Sequence, residues 1–185
     1  GAKITGAGTS IIKIKGASKL KKGYVEVIPD RIEAGTYIII GSLIGDNLKI
    51  DNIIPEHLKS LTDKLKESGA NIEIGPDYIL TNASENLKGI SLETYYYPGF
   101  PTDLQQPFSV YLTQCNGKSI LKETIYENRF MHIPYLNRMG ANITIDGKKL
   151  IIKGKTSLEG KMVTSTDLRG GAAMIVAGLI AKGTT

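Results

Sequence analysis

GANITIDGKKLIIKGK, residues 140–155, repeats a pattern that already stands at residues 69–84 as GANIEIGPDYILTNAS and at residues 1–16 as GAKITGAGTSIIKIKG. The three copies begin at Gly1, Gly69 and Gly140, roughly 70 residues apart. Such regular self-similarity marks one supersecondary unit copied in tandem, each copy burying against its neighbours a face it cannot bury alone. A second echo lies between the copies: DRIEAGTYIIIGSLIGDN at 30–47, TDLQQPFSVYLTQCNGKS at 102–119 and TDLRGGAAMIVAGLIAKG at 166–183. Each brings an Asp to an expected helix start, namely Asp30, Asp103 and Asp167. The charged and polar residues around those starts are what changes from copy to copy. The repeat is therefore scaffold, and its variable edge is the expected site.

Strands and helices alternate around these echoes. Residues 24–28 and 90–95 read as strands, as do 71–74 with 78–81 and 142–145 with 149–153, where Asp146-Gly147 favours a type I′ hairpin turn. Pro55 can open a helix that places Leu58, Leu61 and Leu65 on one face, with Gly69 as its stop. A matching helix is expected over 128–139 before Gly140, with a kink or late start at Pro134. Segments 36–44 and 172–181 are apolar or small on every side, which predicts helices buried all round. The hairpin strands instead alternate, as in Asn71, Ile72, Glu73 and Ile74, and so have one wet face. Helices inside and sheets outside, in tandem βαβαββ units, make an inside-out α/β architecture.

At 185 residues and 41% hydrophobic content the chain can build a real core of one to two domains. Glycines and charges interrupt every apolar run well short of the roughly 20 residues of a membrane span. The single Cys115 excludes an intramolecular disulfide and suits a reducing compartment. The net charge of +5 comes from basic residues spread along the chain, and the run Lys19 to Lys22 has no interleaved aromatics, so nucleic-acid binding is disfavoured.

The residues alone leave several roles open. Thr102-Asp103 would serve as a helix cap, and Arg169 could form a surface pair with Asp167. Arg129 could pair with Glu127, and the Ile125 side chain suggests only strand packing. Cys115 has no His or Arg beside it in sequence to lower its pKa, which points to a packing role. His57 and His132 lack partners at metal-ligand spacing.

Three motifs carry a resemblance: YPGFPTDLQ at 97–105, ETIYENRFMH at 123–132 and TSTDLRGGAA at 164–173. Together, and in this order, they resemble the UDP-N-acetylglucosamine 1-carboxyvinyltransferases of bacterial peptidoglycan precursor synthesis, over essentially the whole chain. Shikimate-pathway enolpyruvyl transferases share that fold, but the first two motifs look like the UDP-sugar enzymes. The resemblance implies an inside-out α/β barrel, with residues 1–28 as terminal strands of a preceding domain and 29–185 as a second domain truncated at its C-terminus. It implies phosphoenolpyruvate and UDP-N-acetylglucosamine as ligands, no metal or organic cofactor, a cytoplasmic location, and a role in cell wall biogenesis and so in cell shape and division. Asp103 would contact the attacking sugar hydroxyl as general base, and Arg169 would hold the donor phosphate. Arg129, Asp167 and the Ile125 backbone would complete the substrate contacts. The motif around Asp30, Arg31 and Glu33 would link the domains. The Cys-bearing loop that supplies the family's general acid has no counterpart here, so the chain alone is expected to be inactive. The alternatives are a shikimate-type transferase fragment and a non-catalytic binding module of the same fold.

Overall fold

The computed structural model describes residues 1–165 and 167–185. A short hairpin of β1 (Lys3–Thr5) and β2 (Lys13–Lys15) precedes α1 (Arg31–Ile44), β3 (Leu48–Ile50), α2 (Lys59–Glu67), β4 (Asn71–Ile74) and β5 (Ile79–Asn82). The series then recurs as β6 (Ser91–Glu93), α3 (Gln105–Thr113), β7 (Gly117–Lys122), α4 (Ile133–Arg138), β8 (Ile143–Asp146) and β9 (Lys149–Gly154), and starts again with α5 (Leu168–Ile180). The βαβαββ unit is complete from β6 to β9. Of the two larger sheets, one runs β3-β5-β4 and the other β6-β7-β9-β8, in which, among the described residues, only the β6–β7 pair of strands is parallel.

All three sequence copies fold as antiparallel hairpins, β1–β2, β4–β5 and β8–β9. Their alternation does the expected work in the second and third: Ile79 and Thr81 of β5, and Leu150 and Ile152 of β9, are fully buried on the inner face. The last hairpin turns one residue later than the sequence suggests. Asp146 pairs with Lys149, so Gly147-Lys148 forms the loop, and only Gly147 has positive φ, whereas a type I′ turn needs it at both positions.

The helix opened by Pro55 begins as a 3-10 turn, Pro55–Leu58, and continues as α2. Leu58, Leu61 and Leu65 are buried, each worth about 1.5–3 kcal/mol. Gly69 and Gly140 follow α2 and α4 at φ 92° and 107°, which favours glycine at both helix ends. Over 128–139 the late start is what forms: α4 begins at Ile133 with Pro134 in its first turn, where a missing N–H costs nothing.

Two expectations need correction. Residues 24–28 form no strand; Tyr24, Val25 and Val27 are 82–93% exposed, and β3, whose counterpart β7 pairs with β6, is bonded only to β5. An extended segment without a ladder partner is not a strand. Nor are the helices of segments 36–44 and 172–181 buried all round. The helix with no exposed side is α3, all nine residues of which are buried among α1, α5, β7 and β9. Helices α1 and α5 flank it and leave Tyr37, Ile175 and Leu179 more than half exposed, along a groove of about 490 Å³ between them. Helix α1 lies so close to β5 that a Cβ on Gly41 would fall 1.9 Å from Thr81 Oγ1.

Residues 1–28 are exposed throughout, and β1 pairs only with β2. Among the described residues, no helix is long and apolar enough to cross a membrane.

Candidate active site

The starts of α1, α3 and α5 come together, but the three Asp residues there are used differently. Asp30 caps α1, accepting from Ile32 N at 2.7 Å and Glu33 N at 3.3 Å. Asp167 caps α5 in the same way, from Arg169 N at 2.9 Å and Gly170 N at 2.8 Å. Asp103 caps nothing. It sits in a 3-10 turn, Thr102–Leu104, that runs into α3 without a side-chain cap. Its carboxylate instead receives two guanidinium groups, Arg129 Nη2 on Oδ1 at 2.5 Å and Arg169 Nη2 on Oδ2 at 3.0 Å. The capping role open to Thr102-Asp103 in the sequence is therefore not taken, and the Thr102 hydroxyl donates to Glu123 Oε2 at 2.9 Å. Neither Arg makes the pair its neighbours suggest: Arg129 reaches Asp103 and not Glu127, and Arg169 gives Asp167 only its backbone N–H while its guanidinium goes to Asp103.

The two arginines are held unequally. Arg129 is 12% exposed, lies over the Tyr126 ring at 4.4 Å, and has its carbonyl accepting from Gln106 Nε2 at 3.2 Å. Arg169 is 28% exposed and lines the open groove between α1 and α5. Asp103 itself, 35% exposed, borders a separate cleft of about 320 Å³ with Ile125, Arg31 and the aromatic side chains of Tyr95, Tyr96 and Tyr126. The structure thus joins Asp103, Arg129 and Arg169 directly, sets Ile125 in the cleft beside them, and places Asp167 behind Arg169 at the start of α5.

Glu123 is the functional residue that sequence reasoning passed over. It is 1% exposed and accepts from Thr94 Oγ1 (2.7 Å), Thr102 Oγ1 (2.9 Å), Ile125 N (2.8 Å) and Tyr126 N (3.1 Å). One buried carboxylate therefore fixes both the turn bearing Asp103 and the loop bearing Ile125. It also engages the Ile125 N–H. The signal was available: Ser119, Leu121 and Glu123 share the inward parity of β7, and a Glu on that parity is either an error of reading or a buried organiser.

Beneath the site lies a buried polar layer. Gln106 Nε2 also approaches Asp167 Oδ2 at 3.4 Å, and Ser109 Oγ meets His132 Nε2 at 2.9 Å. Burial lowers the His132 pKa to about 4, with the Arg129 charge acting in the same direction and Asp167 opposing it. His132 is a neutral packing residue here. Cys115 lies fully buried past the end of α3, its thiol pushed up to about 12 by burial, so it is no nucleophile. Among the described residues, no group of three or more His, Cys, Asp or Glu side chains is placed to hold a metal ion.

A helical centre, outer sheets and an Arg-clamped carboxylate beside a polar cleft define a class that comparison makes explicit. The sequence profile of EPSP synthase (3-phosphoshikimate 1-carboxyvinyltransferase) matches residues 1–185, and the chain belongs to that enolpyruvyl transferase family. UDP-N-acetylglucosamine 1-carboxyvinyltransferase 2 of Geobacillus kaustophilus (strain HTA426) is 49% identical over 185 residues, 100% of this chain and 43% of that protein. The protein of the same name from Bacillus subtilis (strain 168) is 50% identical over 186 residues and is likewise covered to 43%. The chain thus spans less than half the length of these curated relatives. Among solved structures, the enolpyruvyl transferase NikO from Streptomyces tendae superposes with a TM-score of 0.82 at 26% identity, over 98% of this chain and 44% of NikO. EPSP synthase from Acinetobacter baumannii shares the fold, with a TM-score of 0.66 at 16% identity over 87% of this chain and 39% of that one.

Proposed function

We propose that the chain is part of a cytoplasmic enzyme that transfers enolpyruvyl from phosphoenolpyruvate to the 3′-hydroxyl of UDP-N-acetylglucosamine, supplying peptidoglycan precursors. Residues 29–185 form most of its second domain and residues 1–28 the terminal strands of the first. The observation that carries this reading is the Asp103 carboxylate, held at the edge of a cleft by two arginines. Asp103 takes the proton of the sugar hydroxyl as its oxygen adds to C2 of phosphoenolpyruvate, while an acid from outside these residues protonates C3. The resulting ketal then loses phosphate from C2 and a proton from its C3 methyl, the proton returning to the conjugate base of that acid, to give the enolpyruvyl sugar. Arg169 stabilises the phosphate charge with its guanidinium fork, and Asp167 fixes the backbone that presents it. Arg129 orients Asp103, and Ile125 offers its backbone to the sugar nucleotide.

A shikimate-type activity is the second reading, favoured by the name of the matching family profile. Near 49% identity to the UDP-sugar enzymes weighs against it. The test is phosphate release by the purified full-length protein. Release with UDP-N-acetylglucosamine and none with shikimate 3-phosphate is expected, and the reverse preference overturns the assignment. The 185-residue chain alone should release none, because one wall of a cleft supplies only part of the contacts.

A further inference from the structure

The two arginines on Asp103 engage one of its oxygens each, so the carboxylate is shared between two cations although each oxygen keeps a second lone pair. Arg129 cannot leave cheaply: its side chain is nearly buried and lies over the Tyr126 ring. Arg169 can. Its guanidinium contacts Asp103 Oδ2 alone, at the longer distance, and it lines an open groove. Its backbone is fixed independently by the Asp167 cap, so the side chain can swing without unwinding α5.

We propose that Arg169 is an exchangeable counter-ion: a phosphate arriving from the groove side draws its guanidinium off Asp103 Oδ2, and that departure leaves this oxygen unshared. Arg129 stays behind as the permanent partner, so the carboxylate is never left unpaired in a part-buried site. The exchange is driven by charge and geometry, since a phosphate dianion accepts the guanidinium fork bidentately while Asp103 offers it one oxygen. The proposal deepens the functional reading above, which assigns Arg169 to that phosphate, and makes Asp103 and phosphate competitors for one cation.

Competition gives a test on this chain itself, with inorganic phosphate as the probe and ionic strength held constant with chloride. Asp103→Asn removes the competing charge, so phosphate should bind about fivefold tighter than to the unaltered chain, as expected for loss of a part-buried, single-bonded ion pair. Arg169→Gln should abolish the binding in either background. Nitrogen-15 side-chain spectra of the unaltered chain supply a second measurement that does not depend on the variant's folding. Phosphate should shift the Arg169 guanidinium signals and leave those of Arg129 in place. Unchanged, weaker or absent phosphate binding in the Asp103→Asn chain, or equal shifts at both arginines, would overturn the exchange. The functional reading fails separately: tighter phosphate binding by Asp103→Asn together with normal turnover by the full-length variant would keep the exchange and refute the base.

Discussion

Asp30 and Asp103 begin equivalent helices of consecutive repeats, yet one is a cap and the other an acid-base candidate. Asp30 puts one carboxylate oxygen on two backbone N–H groups of its own helix, as Asp167 does in the third repeat. Asp103 lies one 3-10 turn ahead of its helix and faces two arginines from other segments. A capping bond keeps a carboxylate local and structural. Setting the same residue type inside a 3-10 turn ahead of the helix releases both oxygens from capping to meet the two arginines, and the cost is small because α3 is held on every side by packing. A tandem fold can thus turn one copy of a structural residue into a functional one by a shift of a few residues.

The largest test of that contrast is turnover in the full-length protein. Asp103→Ala should lower kcat by about 10²–10⁴-fold with the far-UV spectrum unchanged, the range for loss of a general base. Asp30→Ala should leave kcat alone. Near-normal turnover of the Asp103 variant would make the two aspartates alike after all and remove the role proposed for it.

Much of this contrast lay beyond the sequence. The hairpins were readable because alternation and glycine are local signals, and Leu58, Leu61 and Leu65 declared one helix face by spacing alone. That three Asp residues begin equivalent helices was readable too, from the second echo. Which of them escapes capping was not, since Asp103 meets Arg129 and Arg169 across 26 and 66 residues of chain. The neighbours in sequence, Glu127 and Asp167, suggested nearer and wrong partners for both guanidinium groups. The exposed sides of α1 and α5 failed for a related reason. Apolar composition says that a helix can be buried, whereas only the arrangement of its neighbours says whether it is.

His132 extends the comparison to what lies beneath each Asp. The layer under Asp167 contains a buried imidazole, and its charge makes stability depend on pH. The unfolded chain protonates near the ordinary 6.5, but the folded chain resists until about 4. Above the unfolded value neither state is charged and nothing is lost. Between the two values the unfolded state binds the extra proton, so stability falls as pH falls, by about 3 kcal/mol at the lower end. Urea midpoints of this chain and of His132→Gln, followed across that window, should converge or cross at the acidic end. Parallel curves would mean that His132 takes up its proton without unfolding the layer.

Cys115 provides the control for chemistry far from the cleft. Cys115→Ser puts a hydroxyl where the thiol is fully buried, and should cost about 1–2 kcal/mol of stability by urea titration while the full-length enzyme keeps its kcat. Lost turnover at unchanged stability would assign the thiol a part that its burial and raised pKa argue against.

The smallest effect separates capping from charge. If Asp30 only caps α1, Asp30→Ala should cost about 1 kcal/mol, and Asp30→Asn no more than a few tenths, because Asn caps as well as Asp. The amide oxygen can accept from Ile32 N and Glu33 N just as the carboxylate does. At position 103 the ordering should reverse in kind: Asn retains an oxygen but can neither take a proton nor balance two guanidinium groups, so Asp103→Asn should be about as inactive as Asp103→Ala. Equilibrium urea unfolding of the position-30 pair and initial rates of the position-103 pair give the two comparisons. A costly Asp30→Asn would show that the first repeat, too, uses its carboxylate for charge, and the distinction between the two helix starts would then be one of degree.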